Sequence, residues 1–535
     1  MPQANMYALA GYEVVTIYDQ PNLEATKLGY LRYGRQVRCT PRLPEEDEHC
    51  KQGWHRLADG GFACASKGLQ VSDKVHRMFR APPAPRTDDP LPYEYGVVTR
   101  DGAGMWWRPP SRQERSLGRQ AYAHHRRTLR SKRRGTAAPP SPRPKPPRAL
   151  AGTSAPTTTA AAPQSQGNVS MPMSSSGTSP AAIDLPNLED IHDAPIPRVA
   201  TPAELRERER ARRRSLRSHD AARKTRKTRA AELARKREKL PLHPQTPFLN
   251  RGYIVTLGTQ YAEHGKSWWR TARGGYVAAE YVRRKRPTEF QGTVLAEGTQ
   301  LPFGFVMAKE AYAYAQDDTG KLSRGRKLGF REFVDIVAAP QRFRGRTYSR
   351  TRRGFLVQTD LVRMAPQPDV PDPDLLAVEA LRSSDVQLDL ARAAERWIYV
   401  DLAKQILVAY EGENPVYTTL VSTGRRGSTS ESFETPRGDF RIRTKHISSS
   451  MNGDTASDGD YSIQDVPWTM FFEGGYALHG AFWHHAFGRR RSHGCINLGP
   501  QDARWLFYWA GPSLPDTWHG VIANDGNPGT LVVVR

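Results

Sequence analysis

The sequence predicts a mainly β, multi-domain chain interrupted by one long basic linker. Three observations carry this expectation. At 535 residues the chain exceeds what a single hydrophobic core usually fills, so several domains are expected. Short alternating runs broken by Pro, Gly and Asp recur on both sides of a central tract, which is the pattern of small β units. The tract itself, residues 108–243, shifts abruptly to Arg, Lys, Pro, Ser, Thr and Ala.

Residues 7–107 read as the first β module or modules. Tyr12 to Tyr18, Lys27 to Tyr33 and Gln36 to Thr40 are short β-type runs separated by turn residues. The linker follows at 108–243. Its first part (HHRRTLRSKRR) is basic and its second (APPSPRPKPPRALAGTSAPTTTAAAPQ) is Pro/Ser/Thr/Ala-rich. Neither can bury enough apolar surface to offset chain entropy, so disorder is expected there. Thr201 to Leu240 adds an Arg-rich stretch with Thr201 as an N-cap candidate, consistent with a solvated helix.

The net charge of +24 has the magnitude of a nucleic-acid footprint until it is mapped. Between Asp101 and Asn250 there are 30 Lys+Arg against 12 Asp+Glu. The excess therefore belongs to the linker, and nucleic acid is not an expected partner of the folded parts. Nucleic acid, an anionic lipid or a wall polymer could bind such a tract electrostatically, and a solvated spacer accounts for its composition by itself.

Residues 244–364 read as further β modules, and here the chain repeats itself. Gly53–Leu69 is GWHRLADGGFACASKGL, Ser267–Val282 is SWWRTARGGYVAAEYV, and Thr347–Val362 is TYSRTRRGFLVQTDLV. Each has an aromatic residue, Arg after one position, a Gly-led turn, and then a new β run. Such a turn suits positive φ between two strands. Ordinary β hairpins with core aromatics would account for the pattern. It also resembles the bacterial SH3-like wall-associated modules, which carry W…GG[W/F/Y]V repeats. That resemblance implies small β-barrels with a positioning role near peptidoglycan, including contact with cell-wall glycan.

A Pro/Asp cluster, Ala365 to Asp374, precedes a stretch of helical character over Leu375–Arg396 and then the last domain, 395–535. Strands are expected from Trp397 onward, followed by the turn Thr435-Pro436-Arg437-Gly438 and the dense segment YALHGAFWHHAFGRRRSHGCINL. Of four cysteines, Cys39, Cys50 and Cys64 cluster near the start, where at most one pair can form a disulfide. Cys495 stands apart among histidines, the arrangement of a candidate nucleophile. A thiol attacks as thiolate, and either His493 or His479 could take its proton. Gly494 permits a sharp turn whose amides can face a developing oxyanion. Arg489, Arg490 and Arg491 would lower the thiol pKa and attract acidic substrates. Zinc would need regular ligand spacing, yet neither CxxC nor HExxH occurs, so no metal or other cofactor is expected.

The segment resembles the YkuD-type L,D-transpeptidase catalytic domain, whose pattern is HG, a connection, then [ST]HGC. His479-Gly480 matches the first part and Ser492-His493-Gly494-Cys495-Ile496-Asn497 the second; Thr435-Pro-Arg-Gly438 is similar to its TPxG turn. The resemblance implies a β-sandwich domain with Cys495 as nucleophile. It implies His479 as base and acid, held by the Gly480 carbonyl. Gly480, Ser492, His493 and Gly494 would shape the oxyanion site, and Asn497, where most members carry Arg, would meet substrate. It further implies 3→3 cross-linking of peptidoglycan stem peptides, with L,D-carboxypeptidase action or a non-catalytic wall scaffold as alternatives. The expected place is the bacterial cell envelope, periplasmic or extracytoplasmic. No signal peptide is visible at the start and no apolar run is long enough to span a membrane.

Overall fold

In the computed structural model the described residues are 4–136, 239–372 and 396–535, apart from 45–46, 245, 428–431 and 454–460, with isolated positions besides. The disorder expected of 137–200 and the helices expected over Thr201–Leu240 and Leu375–Arg396 lie, isolated positions aside, outside these residues. Among the described residues no helix is long and apolar enough to cross a membrane.

The internal repeat is a repeated structure. Strand Trp54–Arg56 pairs with Phe62–Cys64, Lys266–Arg270 with Tyr276–Ala278, and Arg346–Arg350 with Leu356–Gln358. Each hairpin turns through glycine at positive φ (Gly60 and Gly61, Gly274, Gly354), a conformation that other residues adopt only with strain. Each is followed by one 3-10 turn and a closing strand: Leu69–Ser72, Val282–Arg284 and Val362–Met364. Each closing strand pairs antiparallel with an opening strand: Met6–Ala10, Glu94–Val98 and Phe303–Val306.

The middle repeat is assembled from both sides of the linker. Its opening strand Glu94–Val98 precedes the linker, and its next long strand, Ile254–Leu257, follows it, yet the two pair directly. Ala103–Gly104 pairs with Phe248–Leu249, so the linker leaves and returns through one short hairpin.

Two expectations are corrected. The SH3-like barrels are not formed: the strands lie in separate open sheets. For the first two repeats the reason is recruitment. Strand Lys27–Arg32 of the first repeat pairs with Gly520–Ile522 of the last domain, and Ile254 pairs with Ile463, so hairpins that could close on themselves extend a shared sheet instead. The linker is also ordered at its start, where Arg112–Thr136 is a helix. Ser111 and Glu114 form a reciprocal capping box: the Glu114 amide donates to Ser111 Oγ (3.2 Å) and the Ser111 amide to Glu114 Oε2 (2.8 Å).

The last domain is a two-sheet sandwich. One sheet runs Thr293–Val294, Asn414–Leu420, Ile406–Glu411, Arg396–Asp401, Leu531–Val534, Gly438–Arg441. Alternation splits its side chains between two cores. Ile398, Val400, Leu407 and Ala409 face Trp468, Met470, Leu478 and Ile496 of the opposite sheet, while Trp397, Tyr399 and Val408 pack on Phe303 and Phe305 of the third repeat. Helix Pro500–Trp509 completes the inner core through Ala503, Leu506 and Phe507. Cys50 and Cys64 form a disulfide and Cys39 is free and buried.

One buried charge cluster joins these parts. Asp465, fully buried on strand Tyr461–Glu473, takes Arg32 of the first repeat at 2.6 Å and Arg273 of the second at 3.5 Å. Ser448 Oγ donates to it at 3.2 Å, and Tyr95 donates to its main-chain carbonyl at 2.5 Å. Burial alone would raise the carboxyl pKa, but Arg32 and then Arg273 hold it below the usual value. Its stabilising contribution is therefore present above the ordinary carboxylate pKa and is lost as pH falls through the lowered one. Asp465→Ala leaves Arg32 buried without its partner and is expected to cost about 3–5 kcal/mol in chemical denaturation. A cost no larger than that of an exposed pair, about 1 kcal/mol or less, would show that the cluster does not hold the parts together.

Candidate active site

Strand Tyr476–Gly480 pairs in parallel with Ile496–Leu498, matching Leu478 with Ile496 and His479 with Asn497. This register puts Cys495, one residue before its strand, beside Ala477. Cys495, His479, Ser492, His493 and Asn497 all line one cavity of about 1190 Å³, with its polar and apolar walls interleaved. Gly480 and Gly494 do not line it themselves but adjoin His479 and Cys495 in the chain.

The imidazole of His479 is buried, and its Nδ1 lies 3.3 Å from the Gly480 carbonyl. A carbonyl only accepts, so Nδ1 carries the proton and Nε2 has its lone pair available. Trp483 stacks on the ring at 5.7 Å. Burial pushes His479 down to about 4, against a smaller upward effect of the Gly480 carbonyl. Cys495 is partly open to the cavity, and its thiol contacts the Gly475 carbonyl at 3.8 Å. Among the described residues no hydrogen bond joins this thiol to His479.

The expected activation by Arg489, Arg490 and Arg491 is corrected. Burial pushes the Cys495 thiol up to about 11, opposed only by the Ala477 amide. The arginines are exposed and none acts on the sulfur, because their charge is solvated away from it. Thiol and imidazole are thus both neutral near pH 7. Any attack by this sulfur would therefore have to proceed with proton transfer rather than from a standing thiolate.

The turn that leads into Cys495 is clamped by two side chains. Ser492 Oγ donates to the Cys495 carbonyl at 2.5 Å and accepts the Gly494 amide at 3.1 Å. Thr435, in the Thr-Pro-Arg-Gly turn, donates to the Gly494 carbonyl at 2.7 Å and accepts the Gly424 amide at 2.9 Å. Gly494 has φ +117°, and a Cβ there would meet the Tyr476 ring at 2.3 Å, so only glycine fits. Since Ser492 takes the Gly494 amide, that amide is not available to face an oxyanion.

His493 is held between aromatic rings, stacked with Tyr461 at 5.2 Å and edge-on to Phe433 at 4.6 Å, with Arg425 at 3.3 Å. Asn497 is buried against His484, its carboxamide 2.9 Å from Nε2. Ala486 donates its amide to His484 Nδ1 at 3.1 Å, which places the imidazole proton on Nε2. The carboxamide atom placed beside Nε2 is Nδ2, with Oδ1 buried and without a hydrogen-bond partner among the described residues; because Nε2 is the donor, the amide belongs in the flipped orientation, with Oδ1 accepting and the Asn497 NH2 left over as a donor. Burial and the nearby Arg491 push His484 down to about 3, which keeps it neutral in this role. No motif singles out His484; among the described residues no group of His, Cys, Asp or Glu could hold a metal. Tyr461, Tyr476, Trp483 and Arg425 carry no motif, and only their place in the fold brings them to the cavity.

Residues 395–534 match the family model of YkuD, the L,D-transpeptidase catalytic domain. No curated protein matches the chain. Among solved structures it is similar to a mutant L,D-transpeptidase of Enterococcus faecium, at 22% identity over 26% of this chain and 50% of that chain, with TM-score 0.21. It is also similar to an L,D-transpeptidase from Mycobacterium smegmatis (20% identity, 26% and 58%, TM-score 0.20). A third is the L,D-transpeptidase of Xylanimonas cellulosilytica (24%, 26% and 60%, TM-score 0.19). The chain thus spans between half and three-fifths of the length of these three solved chains.

A thiol of this kind should be sluggish toward small electrophiles. Alkylation of Cys495 by iodoacetamide, followed by peptide mass spectrometry, is expected to accelerate about tenfold per pH unit through pH 10, since only thiolate reacts. A plateau below pH 9 would mean that the sulfur is ionised by something other than the groups described.

Proposed function

With residues 395–534 a YkuD L,D-transpeptidase catalytic domain, we propose that the protein is a peptidoglycan L,D-transpeptidase that joins stem peptides by 3→3 cross-links through a thioester on Cys495. The observation that supports this most is the pairing of the two motif strands, which brings Cys495 and His479 to one cavity with His479 Nδ1 turned to Gly480.

The Cys495 sulfur attacks the carbonyl between the L-centre of a diamino acid and a terminal D-Ala, while its proton passes to His479 Nε2. The tetrahedral oxyanion collapses, the C–N bond breaks, and His479 returns the proton to the departing amine of D-Ala. The amine of a second stem then attacks the thioester. His479 takes its proton and restores the thiol as the C–S bond breaks. Neutral His479 is needed for the first transfer, and its lowered pKa keeps it neutral throughout the physiological range. Asn497 and His493 contact the stem, and the wall-facing repeats hold the cleft against the polymer.

The reaction lies outside the cytoplasm, and the Cys50–Cys64 disulfide fits an oxidising compartment. A water acceptor would make the same thioester into a hydrolytic product; analysis with and without a second stem separates the two outcomes.

Purified protein mixed with muropeptides is expected to yield a 3→3 dimer by mass spectrometry, and a carbapenem to leave an adduct on Cys495. Cys495→Ala should show neither, and a dimer formed by that variant would remove the nucleophile. His479→Gln is expected to lower thioester formation by about 10²–10⁴-fold. The rate should stay level through neutral pH and fall as pH drops through about 4, where His479 gains its proton. A steep rise across neutral pH would instead point to a thiolate nucleophile.

A further inference from the structure

The cavity that holds Cys495 is not walled by the last domain alone. Val97, Gly252, Ile254 and Lys285 of the middle repeat line it as well. They arrive there through continuous strand pairing. Val282–Arg284 pairs with Glu94–Val98, that strand with Ile254–Leu257, and Ile254 in turn with Ile463 on the strand that carries Tyr461. The Lys285 amide extends the ladder by donating to the Tyr95 carbonyl at 2.8 Å. Lys285 is therefore fixed at the root of its side chain by the same sheet that bears His479.

Four cations line this cavity and, among the described residues, no carboxylate does. Two of the four are engaged. Arg490 has Glu434 at 3.5 Å and the Leu402 carbonyl at 3.2 Å. Arg425 lies against His493 and over the Phe433 ring. Lys285 and Arg491 also line the cavity, one from the middle repeat and one from the loop before Cys495. Neither has an ion-pair partner among the described residues. Concave walls of one charge sign focus the field and attract the opposite charge.

We infer that Lys285 and Arg491 form a carboxylate subsite of the cleft, so that the middle repeat is part of the substrate-binding machinery and selects stem peptides with free carboxylates over amidated ones. This rests on the transpeptidase reading for the identity of the peptide, but its physical content is separate: an anionic peptide is recognised by a lysine that lies outside the catalytic domain. Charge-assisted hydrogen bonds of this type discriminate strongly because an amide offers no charge to the same donors.

The test uses the full chain with Cys495→Ala, so that binding is measured without turnover. The probes are a tetrapeptide stem with free carboxylates and its fully amidated counterpart, titrated by calorimetry at low and high salt. The free acid is expected to bind at least about fivefold tighter than the amide, with the difference shrinking as salt screens the subsite. Lys285→Gln should abolish that difference and Lys285→Arg should keep it, while Lys321→Gln, on an exposed hairpin of the third repeat, should leave it unchanged. Equal affinity of the two peptides for the parent protein, or an unaltered preference in Lys285→Gln, overturns the subsite. Carbapenem adduct formation on Cys495 in the unsubstituted protein is read in parallel. An adduct with no Lys285 effect removes the subsite and leaves the transpeptidase reading. A Lys285 effect with neither adduct nor dimer removes that reading and leaves the subsite.

Discussion

The buried carboxylate of Asp465 is the constraint on which the arrangement of the described parts depends. It is a poor residue for a core unless it is paired, and its partners come from elsewhere: Arg32 from the first repeat and Arg273 from the turn of the middle one. Losing either contact leaves charge in a low-dielectric site, so the three parts are energetically tied at one atom group. The same strand begins at Tyr461, which stacks on His493. Assembly of the repeats and the shape of the reactive cleft are therefore set by one element.

Around that constraint the chemistry is of a restrained kind. A thiol raised by burial and an imidazole lowered by burial do not exchange a proton at rest. The site stores its reactivity in position rather than in charge, with Gly480, Ser492 and Thr435 each fixing one component through a hydrogen bond. A thiol held neutral in this way is protected from stray electrophiles although its sulfur is partly open to the cavity.

Much of this was legible in the residues. The spacing of His479-Gly480 and Ser492-His493-Gly494-Cys495 announces two neighbouring strands, and the three aromatic–Arg–Gly segments announce three like hairpins. What was not legible depended on distant pairing. Strand Glu94–Val98 looks like the end of the first β unit, but it belongs with Ile254–Leu257, far along the chain. A hint existed: too few residues separate the linker from Ser267 to supply the opening strand that the other two repeats have. The helix at Arg112–Thr136 was hidden by its composition, although Ser111 and Glu114 carry a capping signature. The arginines beside Cys495 misled because sequence proximity says nothing about solvation. Lys285 and Trp483 could not be found at all, since no local pattern marks a side chain that only the assembled sheet brings to the cleft.

The hairpin formed by Ala103–Gly104 and Phe248–Leu249 separates two kinds of evolutionary freedom. A tract tethered at both ends to one ladder can change in length without altering the register of the strands that wall the cleft. The inserted polymer and the reactive groove can thus drift independently: the first is tunable in length and charge, the second is locked by geometry.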